Sequence, residues 1–227
     1  MVMHHEGRDK SEQPGSANRF QQVQQLGDCH VTIGNYAQAK RHYERAAALA
    51  PDEPRPYVGL GVVAMVNNHF EDAEIAFRVA CRLDPTCSKA YAGLALVEQQ
   101  RGHFKTAFDL YLRSLELDTD NLTALLGLFQ TSCQMGSFAK VIHYLQVYLD
   151  SHPADTSVMF CLAALYMKDG RLDQSRQVLA DLVTLDPANK DAVNLLEEIE
   201  HSLVQRSLSG APVPLNRSSV TASLVKI

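Results

Sequence analysis

Cysteine and histidine are the residues of this chain best equipped for chemistry, and their spacing argues against it. Cys29 and His30 are adjacent, so on a helix their side chains diverge by about 100° and cannot face each other as nucleophile and base. The five cysteines, Cys29, Cys81, Cys87, Cys133 and Cys161, form no CxxC pair. Odd in number and scattered, they fit free thiols in a reducing compartment, hence a cytoplasmic protein. His4 and His5 lie in a polar stretch with no third ligand near them in sequence, which argues against a metal. His69-Phe70 and His103-Phe104 recur at one fixed interval, so they are features of a repeat before they are ligands. No glycine-rich phosphate loop occurs. The expectation is a chain with no catalytic residue, metal or cofactor.

Length and composition narrow the classes further. With 227 residues, 46% hydrophobic and 21% charged, the chain is apolar enough to fold. A formal charge of −5 argues against nucleic acid and anionic membranes as partners, since both attract a surplus of Lys and Arg. No window approaches the roughly 18 apolar residues of a membrane span, and the first residues lack the apolar core of a signal peptide.

The elements that position these residues repeat every 34 residues. Units begin at Phe20, Pro54, Ser88, Leu122 and Thr156, and the fifth ends at Asn189. Position 7 holds Leu26, Leu60, Leu94, Leu128 and Leu162; position 17 holds Tyr36, Phe70, Phe104, Phe138 and Leu172. Position 20 holds Ala39, Ala73, Ala107, Val141 and Ser175, and position 32 holds Pro51, Pro85, Thr119, Pro153 and Pro187. Apolar residues at positions 4, 7, 10 and 11, then at 17, 20, 21, 24 and 27, have helical spacing, so each unit predicts two amphipathic helices. Gly34, Gly102, Gly136 and Gly170, with Asn68 in the same place, predict a left-handed turn after the first helix. Small residues at position 8 (Gly27, Gly61, Ala95, Ala163) let the pair approach closely, and proline at position 32 stops the second helix.

These residues resemble the tetratricopeptide repeat (TPR) family, over residues 20–189 in five repeats, 20–53, 54–87, 88–121, 122–155 and 156–189. The resemblance implies an all-α fold, an α-solenoid of antiparallel helix pairs forming a superhelix, whose first helices line a concave groove. It also implies a non-catalytic module for protein or peptide partners. Groove positions would be 2, 5, 9, 12 and 13. The residues so placed that we take as the peptide-binding site are Val58, Val62, Met65, Leu96, Gln99, Leu126, Gln130, Gln134, Phe160 and Met167. Their mixture suits an apolar or amphipathic segment, with aliphatic and Met side chains burying its anchors and Gln amides pairing with its backbone. The carboxylate clamp of chaperone-binding relatives is not matched. Gln24 and Asp28, Gly59, and then Lys89 and Gly93 occupy its positions, and Lys89 alone agrees.

The fourth unit departs from the pattern, with Phe129 at position 8, Val141 at position 20 and Tyr148 at position 27. Larger side chains at a close helix contact cost about 1–3 kcal/mol unless the helices spread, so a wider crossing, a local change of curvature or compensated packing is expected there. Residues 190–206 predict a capping helix with Val193, Leu196, Ile199 and Leu203 on one stripe, needed because the last repeat would otherwise leave its flank wet. Residues 1–19 read as a flexible segment and 207–227 as a tail with two bases, Arg217 and Lys226, and no acid. The leading expectation is an adapter or chaperone. A self-assembling scaffold, homo-oligomeric through its repeat ends or tail, is the alternative, and a tail lying in the groove as a pseudo-ligand is a third reading.

Overall fold

The computed structural model describes residues 14–209, and every regular element among them is a helix. In chain order they are α1 (Pro14–Thr32), α2 (Tyr36–Leu49), α3 (Pro54–Val66), α4 (Phe70–Leu83), α5 (Ser88–Gln100), α6 (Phe104–Leu117), α7 (Leu122–Met135), α8 (Ala139–Ser151), α9 (Thr156–Lys168), α10 (Leu172–Leu185) and α11 (Lys190–Ser209). Each of the five repeats supplies two helices. The chain packs as two compact units that divide between His103 and Phe104, inside the third repeat.

The turns between paired helices are the ones the sequence predicts. Gly34, Gly102, Gly136 and Gly170 have φ of 74°, 80°, 68° and 82°, and Asn68 takes the same left-handed conformation at φ 58°. Proline is not required to stop the second helix in every repeat. α6 ends at Leu117 although Thr119 stands where other repeats have proline. Asp118 Oδ1 instead accepts the Asp120 backbone N–H at 3.1 Å, as Asp84 does from Thr86 at 2.8 Å and Asp186 from Ala188 at 3.2 Å. An aspartate folded onto its own backbone offers the chain a turn in place of another helical residue.

In the first unit, the core is built on aromatic rings clamped between glycines. The Tyr43 ring of α2 lies against Gly27 of α1 and Gly59 of α3, where an added Cβ would come within 2.5 Å of ring carbons on either side. Phe77 of α4 repeats the device between Gly61 and Gly93. Both rings are buried, each burial stabilising by about 1.5–3 kcal/mol. The missing Cβ atoms let neighbouring first helices close on one ring. The recurring glycine at position 6 (Gly59, Gly93, Gly127) was visible in the sequence, but its partner was not.

In the second unit, Tyr111 of α6 meets Gly127 of α7 in the same way. The fourth repeat then changes the device: Leu145 replaces the ring, while Phe129, Val141 and Tyr148 are all buried. α7 and α8 are in less extensive contact than the pairs α1–α2, α3–α4 and α9–α10. α8 also starts one residue later in its repeat than the other second helices. Leu145 recovers part of the added volume.

Three boundaries differ from expectation. α1 begins at Pro14, so 14–19 are helical; proline suits a first helical turn because its missing N–H has no partner there in any case. α11 runs to Ser209, and its deepest face is Ala192, Leu195 and Ile199, with Val193 only half-buried and Leu196 and Leu203 packed at the edge. Residues 1–13 and 210–227, hence His4, His5 and nearly all of the tail, lie outside the described residues.

Candidate functional site

The first unit carries an open cleft of about 310 Å³ on the side of its first helices. Its lining includes Gln24, Asp28 and Val31 from α1, Tyr43 from α2, Arg55, Val58 and Val62 from α3, and Cys87 and Lys89 at the start of α5. Most of these occupy positions 2, 5, 9 and 12 of their repeats. The floor is aliphatic, and Val62 is 37% exposed.

Polar groups at one edge are held in a fixed arrangement. The Tyr43 hydroxyl donates to Asp28 Oδ1 at 2.8 Å, and Gln24 Nε2 donates to the same oxygen at 3.2 Å. Burial first, then the hydrogen bond to Asp28 and its negative charge, push the Tyr43 phenol well above its usual range, so it remains a donor at any physiological pH. With its amide nitrogen thus committed, Gln24 turns its oxygen elsewhere. That oxygen is buried, in a side chain only 7% exposed, and meets no donor among the described residues. An unpaired buried acceptor costs about 1–3 kcal/mol.

The other edge is cationic. Arg55 sits over the Phe20 ring, 5.8 Å from its centroid, which steadies the guanidinium. Arg55 and Lys89 both lie in first turns, and neither pairs with a carboxylate among the described residues. Cys87 adds a thiol rather than a thiolate, because burial above all pushes its pKa up. Cys81 is pushed to about 11 and Cys161 to about 12, again chiefly by burial. All five cysteines are free. His30 stacks on His42 with centroids 5.1 Å apart, while Cys29 is exposed. Among the described residues no three His, Cys, Asp or Glu side chains gather as a metal site.

Of the residues expected to bind peptide, Val58 and Val62 line this cleft, and Met65, Leu96 and Gln99 are half-buried on α3 and α5. In the second unit Leu126 is half-buried and Gln130 and Gln134 are exposed on α7. Phe160 and Met167 require correction as open groove residues. They are 6% and 3% exposed, inside a cluster with Leu179 and Leu182 of α10 and Ala192, Leu195 and Ile199 of α11. The capping helix covers the face of α9 that a further repeat would have covered. Gln24 and Asp28, which read from sequence only as a failed match to a clamp, are the polar centre of the cleft. The signal was a polar residue at a position that is apolar in most other repeats.

The second unit has its own smaller cleft of about 260 Å³, lined by Leu149, Met159, Leu162 and Val178 with Asp150 and Asp181. A further cleft of about 380 Å³ in the first unit involves α2, α3 and α4, with Leu60, Val63 and Val79 beneath an exposed Ile75.

This architecture of paired helices in successive repeats defines the protein as an all-α member of the α-solenoid class. Residues 25–86 match the family model for the tetratricopeptide repeat, and the same 34-residue period runs on to Asn189. No curated protein matches the sequence. Among solved structures, PilF of Pseudomonas aeruginosa is 19% identical with a TM-score of 0.68, covering 92% of this chain and 99% of PilF. Yeast Tom70 is 19% identical with a TM-score of 0.63, covering 96% of this chain and 47% of Tom70. YrrB, described as a TPR protein with an unusual peptide-binding site, is 14% identical with a TM-score of 0.59, covering 80% of this chain and 97% of YrrB. At these identities the likeness is one of fold. The tetratricopeptide match over these residues points to a module for protein–protein interaction, and no helix among the described residues is long and apolar enough to cross a membrane.

Proposed function

We infer that the chain is a non-catalytic adapter that holds an extended apolar or amphipathic peptide against the first helices of its repeats, with the cleft of the first unit as the main seat. The observation that carries this reading is an aliphatic floor of Val58 and Val62 set among the polar side chains of Gln24, Asp28, Arg55 and Lys89 in one open cleft. Aliphatic surface left in water is stabilised by an apolar partner, and polar side chains around it can pair with the backbone of an extended chain. Leu126, Gln130 and Gln134 give the second unit a separate surface of the same mixed character. The free thiols fit a reducing, cytoplasmic setting.

Selection of displayed twelve-residue peptides on the full-length chain tests this, with Val62→Glu as the counter-selection. Because Val62 is already partly exposed, the variant should fold, and an unpaired carboxylate on the cleft floor should weaken selected peptides at least tenfold. Failure to enrich any peptide, or equal binding by the folded variant, would overturn the reading.

A further inference from the structure

The first-unit cleft separates its charges, and the separation specifies a ligand. Asp28 and Gln24 line the cleft from α1, and Arg55 and Lys89 line it from the starts of α3 and α5. Between them lie Val31, Val58 and Val62. We propose, building on the peptide-binding reading above, that this cleft selects a segment with a basic and an acidic residue flanking about three aliphatic residues. The base goes to Asp28, and the acid to Arg55 and Lys89.

Each half follows from hydrogen-bond supply. An ammonium has three donors and no acceptor, so one lysine neutralises Asp28, whose Oδ1 already takes two neutral donors. A backbone N–H would leave the Asp28 charge uncompensated. At the opposite edge, a carboxylate meets a guanidinium already steadied by the Phe20 ring, and charge-assisted bonds of this kind are roughly twice as strong as neutral ones.

The spacing follows from repeat geometry. Asp28 is at position 9 of its repeat and Arg55 at position 2 of the next. Seven helical residues span about 10 Å, and one step between packed helices adds about 8–10 Å sideways. The resulting separation of about 13–14 Å is close to four extended residues at about 3.3 Å each. Basic and acidic residues four apart therefore reach both edges.

The probes are four capped peptides, titrated by calorimetry into the full-length protein. One carries lysine, three aliphatic residues and aspartate; the others replace lysine by glutamine, aspartate by asparagine, or both. Each neutralisation should weaken binding to the wild type about tenfold. Asp28→Asn keeps an acceptor for Tyr43 and Gln24, so it should fold, as its melting curve checks. It should abolish the lysine effect while leaving the aspartate effect, and the double variant Arg55→Gln with Lys89→Gln should do the reverse. Equal affinity of all four peptides would overturn this proposal while leaving an apolar peptide site in place. Equal sensitivity to both peptide charges in every variant would overturn it as well. If even peptides selected on the whole chain do not bind, the reading beneath it falls too.

Discussion

Replacing Gly59 by alanine should destabilise the first unit, although alanine is the better helix former. On propensity alone, Gly→Ala inside a helix stabilises by about 0.5–1 kcal/mol. At Gly59, however, the new Cβ would lie 2.5 Å from Tyr43 Cζ and 2.6 Å from Cε1 and Cε2. Ordinary carbon contact begins near 3.4 Å, so the ring must retreat by about 1 Å. Retreat is blocked by α1, because Gly27 holds the opposite side of the same ring just as closely. Overpacking of this kind costs about 1–3 kcal/mol, and displacing the ring strains the 2.8 Å bond from its hydroxyl to Asp28, worth about 1 kcal/mol net. The balance is a loss of about 1–3 kcal/mol, read from urea unfolding followed by circular dichroism. A companion variant, Gly59→Ala with Tyr43→Leu, copies the fourth repeat, where Leu145 stands at the ring position and Cys161 at the glycine position of the next repeat. It should be more stable than the sum of the two single changes by about 1 kcal/mol or more, the coupling expected of residues in contact. A stabilised Gly59→Ala protein, or strict additivity, would refute the clamp as the reason for the glycine.

Asn68→Gly should stabilise the protein by up to about 1 kcal/mol in the same assay, since Asn68 holds φ 58° where the other four repeats use glycine and glycine takes that conformation without steric cost. Hydrogen bonds from Arg101 and then Arg78 hold the Glu74 carboxyl below its ordinary value of 4.5. A carboxyl depressed in the folded state contributes stability that is present above the unfolded value near 4.5 and is lost as pH falls through the folded value. Stability measured between pH 6 and 3 should therefore decline more steeply in the wild type than in Arg101→Gln; parallel curves would count against the pairing.

The periodic marks of the sequence were enough to fix helix pairing because each acts locally. A glycine at Gly34 or Gly102 ends a helix through its own φ, and the apolar stripes of α4 or α10 follow from 3.6-residue spacing alone. The substitutions in the fourth repeat were legible for a related reason. Phe129 and Tyr148 exceed the volume their positions hold elsewhere, and both are buried in the contact region of their repeat. Helix termination was partly misread: proline was the conspicuous residue, yet Asp118 closes α6 without it.

The candidate site was less legible. Position 5 places Gln24, Val58 and Phe160 on equivalent faces of their helices, but each one's exposure is set by the neighbouring helices. α11 buries Phe160, whereas Val58 stays on an open cleft and Gln24 ends with one amide group bonded and the other unpaired. What the sequence determined by itself was the all-α repeat architecture, since turns, caps and amphipathic faces depend on residues close along the chain. Which groove positions remain open, and that Asp28, Gln24, Arg55 and Lys89 line one cleft with Val31, Val58 and Val62, was decided only in the tertiary structure, because those residues come from different helices and meet only once the helices pack.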